Sequence, residues 1–338
     1  MEYLKLEDCC EILDSKRIPV TANKRRNGKY PYYGANGLQD YVDDYIFDDE
    51  LVLLAEDGGN FNSKDKPIAY RVSGKCWVNN HAHVLKPKQG ISVDYLCYAL
   101  MYYDVSGLVN GATRQKLTQA TMRKMKIPIL SEIDQMRIVE IMNSIQELKN
   151  DYRSILHKLD ILIKARFIEM FGNPIINSKN LPTKSVINVV TLQRGYDLPN
   201  KERHKDGIIP LYGANGQFDW RDTSKACHGI ITGRSGSIGQ VYYCETEFWP
   251  LNTTLFSIDI HGNNIIYLSY LLDFFDLKRF SNGTGVPTLN RNLIHKERII
   301  DVPLKLQNQF ANFVRHVDKS RFDIKKSIIE LEREVVYD

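Results

Sequence analysis

The sequence predicts an α+β chain in which two similar globular units are separated by two long antiparallel α-helices forming a coiled-coil spacer. Three observations predict it. The string YGANG stands at Tyr33 to Gly37 and again at Tyr212 to Gly216 with its flanks repeated, a proline-marked exit follows each copy, and each exit leads into apolar residues at heptad spacing. A period of about 175 residues is too long for a solenoid repeat and fits a duplicated domain.

Asn-Gly alone would carry little weight, because both residues accept the positive φ of a tight hairpin turn. The flanks decide. Pro19 pairs with Pro199 and Gly28 with Gly207, and a basic run precedes each glycine: Lys24, Arg25 and Arg26 in the first half, Arg203, His204 and Lys205 in the second. Downstream the offset falls from 179 to 172, a loop shortened by seven residues, and Trp77 then meets Trp249, Asn80 meets Asn252, and Asn110-Gly111 meets Asn282-Gly283.

Within each half, ELVLLAEDGG from Glu50, CWVNNHAHVL from Cys76, GIITGRSGSIGQVYY from Gly229 and LFSIDI from Leu255 read as strands broken by glycine turns. YLCYALMYY and IIYLSYLLDFF read as one amphipathic helix per unit. The exits are MKIPIL around Pro128 and IIDVPL around Pro303, each followed by a polar stretch holding a glutamine, Gln135 or Gln309. The boundaries are then 1–130 for the first unit, 131–171 for the first helix, 172–306 for the second unit and 307–338 for the last helix.

In the first helix Ile138, Ile145, Tyr152 and Leu159 repeat at one heptad position, and Ile141, Leu148, Ile155 and Leu162 follow three residues later. The last helix repeats the pattern with Val314, Arg321, Ile328 and Val335, and with Phe310, Val317, Ile324 and Leu331. Such a seam needs a partner, because each aliphatic side chain left in water forfeits roughly 1.5–3 kcal/mol. The other seam is the nearest partner. For the chain to leave one unit and return, the pair runs antiparallel, a stiff element of about 50 Å. Arg321 is the polar member, with either a register-fixing role or its head in solvent.

Composition excludes little. The net charge of +4 permits a polyanionic partner and predicts weak binding to it by the chain alone. The six cysteines lack CxxC spacing, and MEYLKLEDCC is not a signal peptide, so reduced thiols and a cytoplasmic protein are expected. No window approaches the roughly 20 apolar residues of a membrane span. His81, His83 and Cys76, or Cys227 and His228, offer no fourth ligand at zinc-like spacing, so no metal is expected. The acidic run YVDDYIFDDE from Tyr41 to Glu50 reads as a solvated edge.

Two related heads at a fixed separation suit a ligand that is long, rigid and periodic, as duplex DNA is; paired readers commonly engage half-sites roughly 34–36 Å apart. The order of parts carries a resemblance. The YGANG turns, GRSGSIGQVYY, NGTGVPTLNRNLIHKERIIDVPL with its counterpart NGATRQKLTQATMRKMKIPIL, and ARFIEMFGNP closing the first long helix together resemble the specificity subunit of type I restriction-modification enzymes, over essentially the whole chain. That resemblance implies target recognition domains reading an asymmetric bipartite DNA sequence, two adenine methyltransferase subunits assembled on the helices, restriction subunits joining that core, and no catalysis in this chain. S-adenosylmethionine would then be bound by the partners. The sequence holds no GxxxxGK[ST], and Asn173-Pro174-Ile175 departs from the Asn-Pro-Pro-aromatic string of adenine methyltransferases.

Basic and amide side chains near glycine turns are the candidate DNA contacts. In the first unit these are Lys24, Arg25, Arg26, Asn36, Arg114, Gln115 and Lys116; in the second, Arg203, His204, Lys205, Asn215, Arg234, Ser235, Thr284, Asn290 and Arg291. Two other readings stand beside this one: a protein-binding scaffold, and a nuclease using the acidic run.

Overall fold

The computed structural model describes residues 2–63, 66–111, 114–203, 207–282 and 287–337, with side chains of the last helix to Leu331. The chain divides into two compact units, Met1–Tyr152 with Lys326–Asp338, and Arg153–Lys325. Each long helix is therefore shared between the units.

In the first unit six strands form one sheet: β1 (Cys10–Ile12), β2 (Tyr30–Gly34), β3 (Gly37–Val42), β4 (Phe47–Ala55), β5 (Ala69–Val78) and β6 (Ala82–Pro87), in the order β1-β6-β4-β5-β2-β3. Neighbours pair antiparallel except β2 and β5, which run parallel with Tyr32 opposite Trp77. Leu51 to Ala55 are wholly buried, and such continuous apolar runs belong to strands covered on both faces. Helix α1 (Val93–Met101) buries Tyr95, Leu96, Cys97 and Leu100, and its N-terminus is capped by Ser92. The chain then enters α2 (Glu132–Phe171), whose first turn is closed by Ser131 accepting from the Asp134 amide.

The second unit repeats the plan: β7 (Thr191–Arg194), β8 (Ile209–Gly213), β9 (Gly216–Arg221), β10 (Ala226–Gly233), β11 (Val241–Pro250) and β12 (Thr254–Asp259), in the order β7-β12-β10-β11-β8-β9. Its parallel pair is β8 with β11, where Leu211 faces Trp249. Helix α3 (Ile265–Phe274) covers the sheet, and α4 (Leu304–Tyr337) ends the chain. The repeated glycines have two reasons. Gly37 and Gly216 close the hairpins at φ of 101° and 98°, while a Cβ on Gly28 or Gly207 would lie 2.2 Å from Val42 O or 2.6 Å from Arg221 O.

The glutamine that follows each exit has a structural task, and in the second half it is Gln307, not Gln309. Gln135 Nε2 donates to Gly90 O and Leu130 O while its Oε1 accepts from the Ser92 amide, at 2.9–3.0 Å. Gln307 Nε2 donates to Asn263 Oδ1 and Val302 O while its Oε1 accepts from the Asn264 amide, at 2.7–2.8 Å. Both are buried and lie 172 apart, whereas Gln309 is exposed. Each ties a long helix to the N-terminus of the short helix of its unit. Gln307→Leu is therefore expected to cost about 1–3 kcal/mol by orphaning buried partners, and Gln309→Leu to change stability by less than about 0.5 kcal/mol; thermal unfolding of the two variants compares them.

The seam of α2 differs from the expected one in its second row. Ile138, Ile145, Tyr152 and Leu159 are half-buried, but Ile141, Leu148, Ile155 and Leu162 are exposed, Ile141 by 59%. Their inward places are taken one residue later, by Met142, Lys149, Leu156 and Ile163. Heptads leave open whether the second row sits three or four residues after the first, and apolar side chains stand at both except at Lys149. On α4, Phe310, Val314 and Val317 are buried and Ile324, Ile328 and Leu331 half-buried; the Val335 side chain lies outside the described residues. Within the second unit the helices pack antiparallel. Phe310 meets Phe167 and Phe171, while Arg321, further along α4, pairs with Asp160, earlier on α2.

Candidate nucleic-acid interface

Four loops converge at the hairpin-turn end of the first sheet. Asn36 Nδ2 donates to Gly58 O at 3.0 Å, the Gly58 amide donates to Gln115 O at 3.0 Å, and the Glu56 amide donates to His81 O at 2.8 Å. Arg114 Nε lies 2.7 Å from Asp57 Oδ1, and Lys116 Nζ 3.0 Å from Glu56 Oε1. The candidates Asn36, Arg114, Gln115 and Lys116, drawn from distant parts of the chain, thus share one surface.

Beneath that surface lies a buried charge network which the sequence reading missed. His83 Nδ1 is 2.7 Å from Asp14 Oδ2 and its Nε2 is 2.9 Å from Leu117 O. Gln119 and the Val84 amide donate to Asp14, and Arg17 reaches Glu56 at 2.6 Å. Burial acts to raise the Asp14 carboxyl, but hydrogen bonds from His83 and Gln119 outweigh it and hold it below the ordinary carboxylate range. Glu56 is likewise opposed by burial and lowered by Arg17 and Lys116. Asp14, Glu56 and His83 bring three ligand-type atoms within 4.8 Å of one another. Donors already occupy both carboxylates, and both ring nitrogens of His83 face acceptors, so the chemistry is that of an ion-pair network rather than a cation seat.

The second unit gathers its loops at the same end. The amides of Arg234 and Ser235 donate to Thr253 O, Leu289 N donates to Arg234 O, and Ser235 bridges to Thr288. A Cβ on Gly233 would lie 2.8 Å from Ala214 O, which places this segment against the turn that carries the exposed Asn215. The charges there are inverted. Leu13 bonds to Val84 as Gln193 pairs with Phe256, so Asp14 and Arg17 correspond to Arg194 and Asp197, each an ion pair of opposite order at 3.5 and 3.3 Å. Glu56 corresponds to Arg234 at the end of the central strand. The signal was present as DSKR after the first strand and RGYD at the end of its counterpart.

Several other candidates have local structural tasks. Arg25 stacks 4.2 Å over Tyr32, donates to Val20 O and pairs with Asp40; Arg203 lies over Phe218 and donates to Leu198 O. Each arginine braces its loop against one hairpin, Arg25 at the Tyr32–Asp40 rung and Arg203 at Phe218 beside the turn. Lys24 and Arg26 are exposed, Arg26 standing 4.0 Å from Asp43. Asn290 caps the short helix Arg291–Lys296 by accepting from the Asn292 amide, and Arg291 is exposed in its first turn. His204, Lys205 and Thr284 lie outside the described residues. The acidic run is dispersed: Asp49 pairs with Lys86 and Glu50 with Arg71, besides Asp43 with Arg26. All six cysteines are free thiols.

Comparison with known proteins agrees with this arrangement. The profile of the type I restriction modification DNA specificity domain matches residues 1–153 and 179–333. The chain is 25% identical to a Haemophilus influenzae protein assigned as a type I restriction enzyme specificity subunit, S.HindORF215P, across 93% of this chain and 86% of that one. It is 21% identical to the EcoprrI specificity subunit of Escherichia coli over 40% of its length, which is 33% of that protein. The crystal structure of the M. genitalium type I S subunit superposes with a TM-score of 0.57 at 14% identity, covering 99% and 93% of the two chains. A chain from a study of type I complex assembly and conformational transition superposes at 0.59 with 11% identity, covering 99% and 94%.

Proposed function

The chain belongs to the type I restriction modification DNA specificity family, and on that premise we propose that each unit reads one half of an asymmetric, split duplex target while the paired helices set the gap. The observation that carries this is the repeated sheet end: one loop scaffold, built twice, carrying different and even charge-inverted side chains. Equal scaffolds with unequal side chains suit two unequal half-sites. Asn36, Arg114, Gln115 and Lys116, with Asn215, Arg234 and Ser235, are the contacts this geometry favours. Lys24, Arg26 and Arg291 are exposed enough to reach phosphates.

The chain acts as a non-catalytic subunit. Two adenine methyltransferase subunits dock on it and supply the S-adenosylmethionine site, and restriction subunits join through them. The aliphatic row Ile141, Leu148, Ile155 and Leu162, left in water on α2, is the seat we assign to a methyltransferase. No described helix is long and apolar enough to cross a membrane, and we place the complex in the cytoplasm with its DNA.

Inserting one heptad into each helix at matched positions adds about 10 Å, close to three base pairs. Sequencing of methylated sites is expected to show a gap longer by about three base pairs with both half-sites unchanged. An unaltered gap refutes the spacer role. Failure of the full chain to shift duplex DNA at low salt, with and without a methyltransferase subunit, would favour the protein scaffold instead.

A further inference from the structure

We propose that Arg114 recognises the O6 and N7 edge of a guanine in the first half-site, and that Asp57 is the residue that positions it. This rests on the first unit being a half-site reader. The Arg114 side chain is 60% exposed, yet it is held in place at its inner edge, where Nε donates to Asp57 Oδ1 at 2.7 Å. Its guanidinium lies over Gly58: a Cβ there would sit 3.3 Å from Nε and 3.7 Å from Nη2, and the φ of 70° favours glycine.

An arginine anchored through Nε keeps its two terminal nitrogens for a forked contact, the geometry that matches guanine in the major groove. Among the described residues Nη2 also lies 3.4 Å from His81 Nδ1, long enough to yield to a base edge. Orientation before binding lowers the entropy lost on contact. A carboxylate at a phosphate-facing surface lowers affinity by repulsion, so a 22% exposed Asp57 makes sense there as an orienting group. Lys116, paired with Glu56, has the compact charge that suits a phosphate. The second unit carries Ser235 at the position of Asp57, so the device belongs to the first half-site.

The full chain with a methyltransferase subunit is used to select duplexes from a randomised pool, and the selected sequences are read. The unaltered chain is expected to require guanine at one position of the first half-site. Arg114→Ala is expected to relax that position on the order of 10- to 100-fold and no other. Arg114→Lys should lose the same preference while keeping the salt dependence of binding. Asp57→Asn should relax the same single position.

Selection of the original sequences by Arg114→Ala overturns the proposal, as does a first half-site without guanine. Wholesale loss of the first half-site in Asp57→Asn, with Arg114→Lys changing nothing, overturns the positioning role. Absence of any split target in the unaltered chain instead refutes the half-site reading itself.

Discussion

Phe167→Ala is expected to destabilise the second unit by about 3–5 kcal/mol, the usual cost of emptying a buried aromatic site. Phe167 has no exposed surface. Its ring stacks on Phe274 at 4.6 Å and 7°, and meets Phe171 and Phe310 edge-on at 5.1 and 5.4 Å. It is therefore where α2, α3 and α4 come together. The lost ring removes transfer free energy and leaves a cavity lined by aromatics too rigid to collapse into it. Ile168→Ala, one residue along and 40% exposed, is the control and is expected to change stability little. Denaturant unfolding of both variants makes the comparison; equal midpoints would mean that the helices do not share this core.

That core was partly legible. ARFIEMFGNP stood out as the close of the first long helix, and Phe167 and Phe171 fill the interior where it ends. Repetition made the architecture readable: paired prolines, glycines and tryptophans in the same order gave two copies of one unit, and both copies show the same strand order. What the pattern left open was the choice between equivalent solutions. Ile141 and Met142 both suit a heptad face, and the structure leaves Ile141 exposed and Met142 half-buried. Gln307 and Gln309 differ by two residues on a helix, which puts them on different faces.

The candidate contacts were legible as regions and less so as residues. Charge and nearness to a glycine turn drew attention to Arg25 and Arg203, yet an arginine beside a loop glycine is also the natural brace for that loop, and both serve that way. Asn290 was chosen as an amide near a turn and serves as a helix cap. The buried network escaped because its members stand at positions 14, 17, 56, 83, 116 and 119, and local spacing joins Asp14 to Arg17 but neither to Glu56 or His83. Only β4 and β6, lying side by side, bring Glu56 and His83 to one end of the sheet.

Removing one carboxylate from that network is expected to have an effect as large as emptying the aromatic core. Asp14→Ala leaves His83 and Gln119 facing an empty site and the Val84 amide without its acceptor, and breaking a buried ion pair in this way costs about 3–5 kcal/mol. The loss falls in the first unit, because the second has Arg194 and Arg234 at the corresponding places. Both carboxyls, Asp14 and Glu56, are held below their ordinary range in the folded chain, so the unfolded chain binds their protons at higher pH. Their contribution is therefore complete above the ordinary carboxylate range of about 4 and is lost as the pH falls through the lowered folded values. Stability of the first unit should fall on acidification, and Asp14→Asn, which cannot titrate, should flatten that dependence while lowering stability near neutrality. Hydrogen exchange resolved by segment, followed from neutral pH into the acid range, tests both statements. Acid opening of β6 and the Leu117 loop that is identical in Asp14→Asn and the unaltered chain would show that the network is not what holds that loop to the sheet.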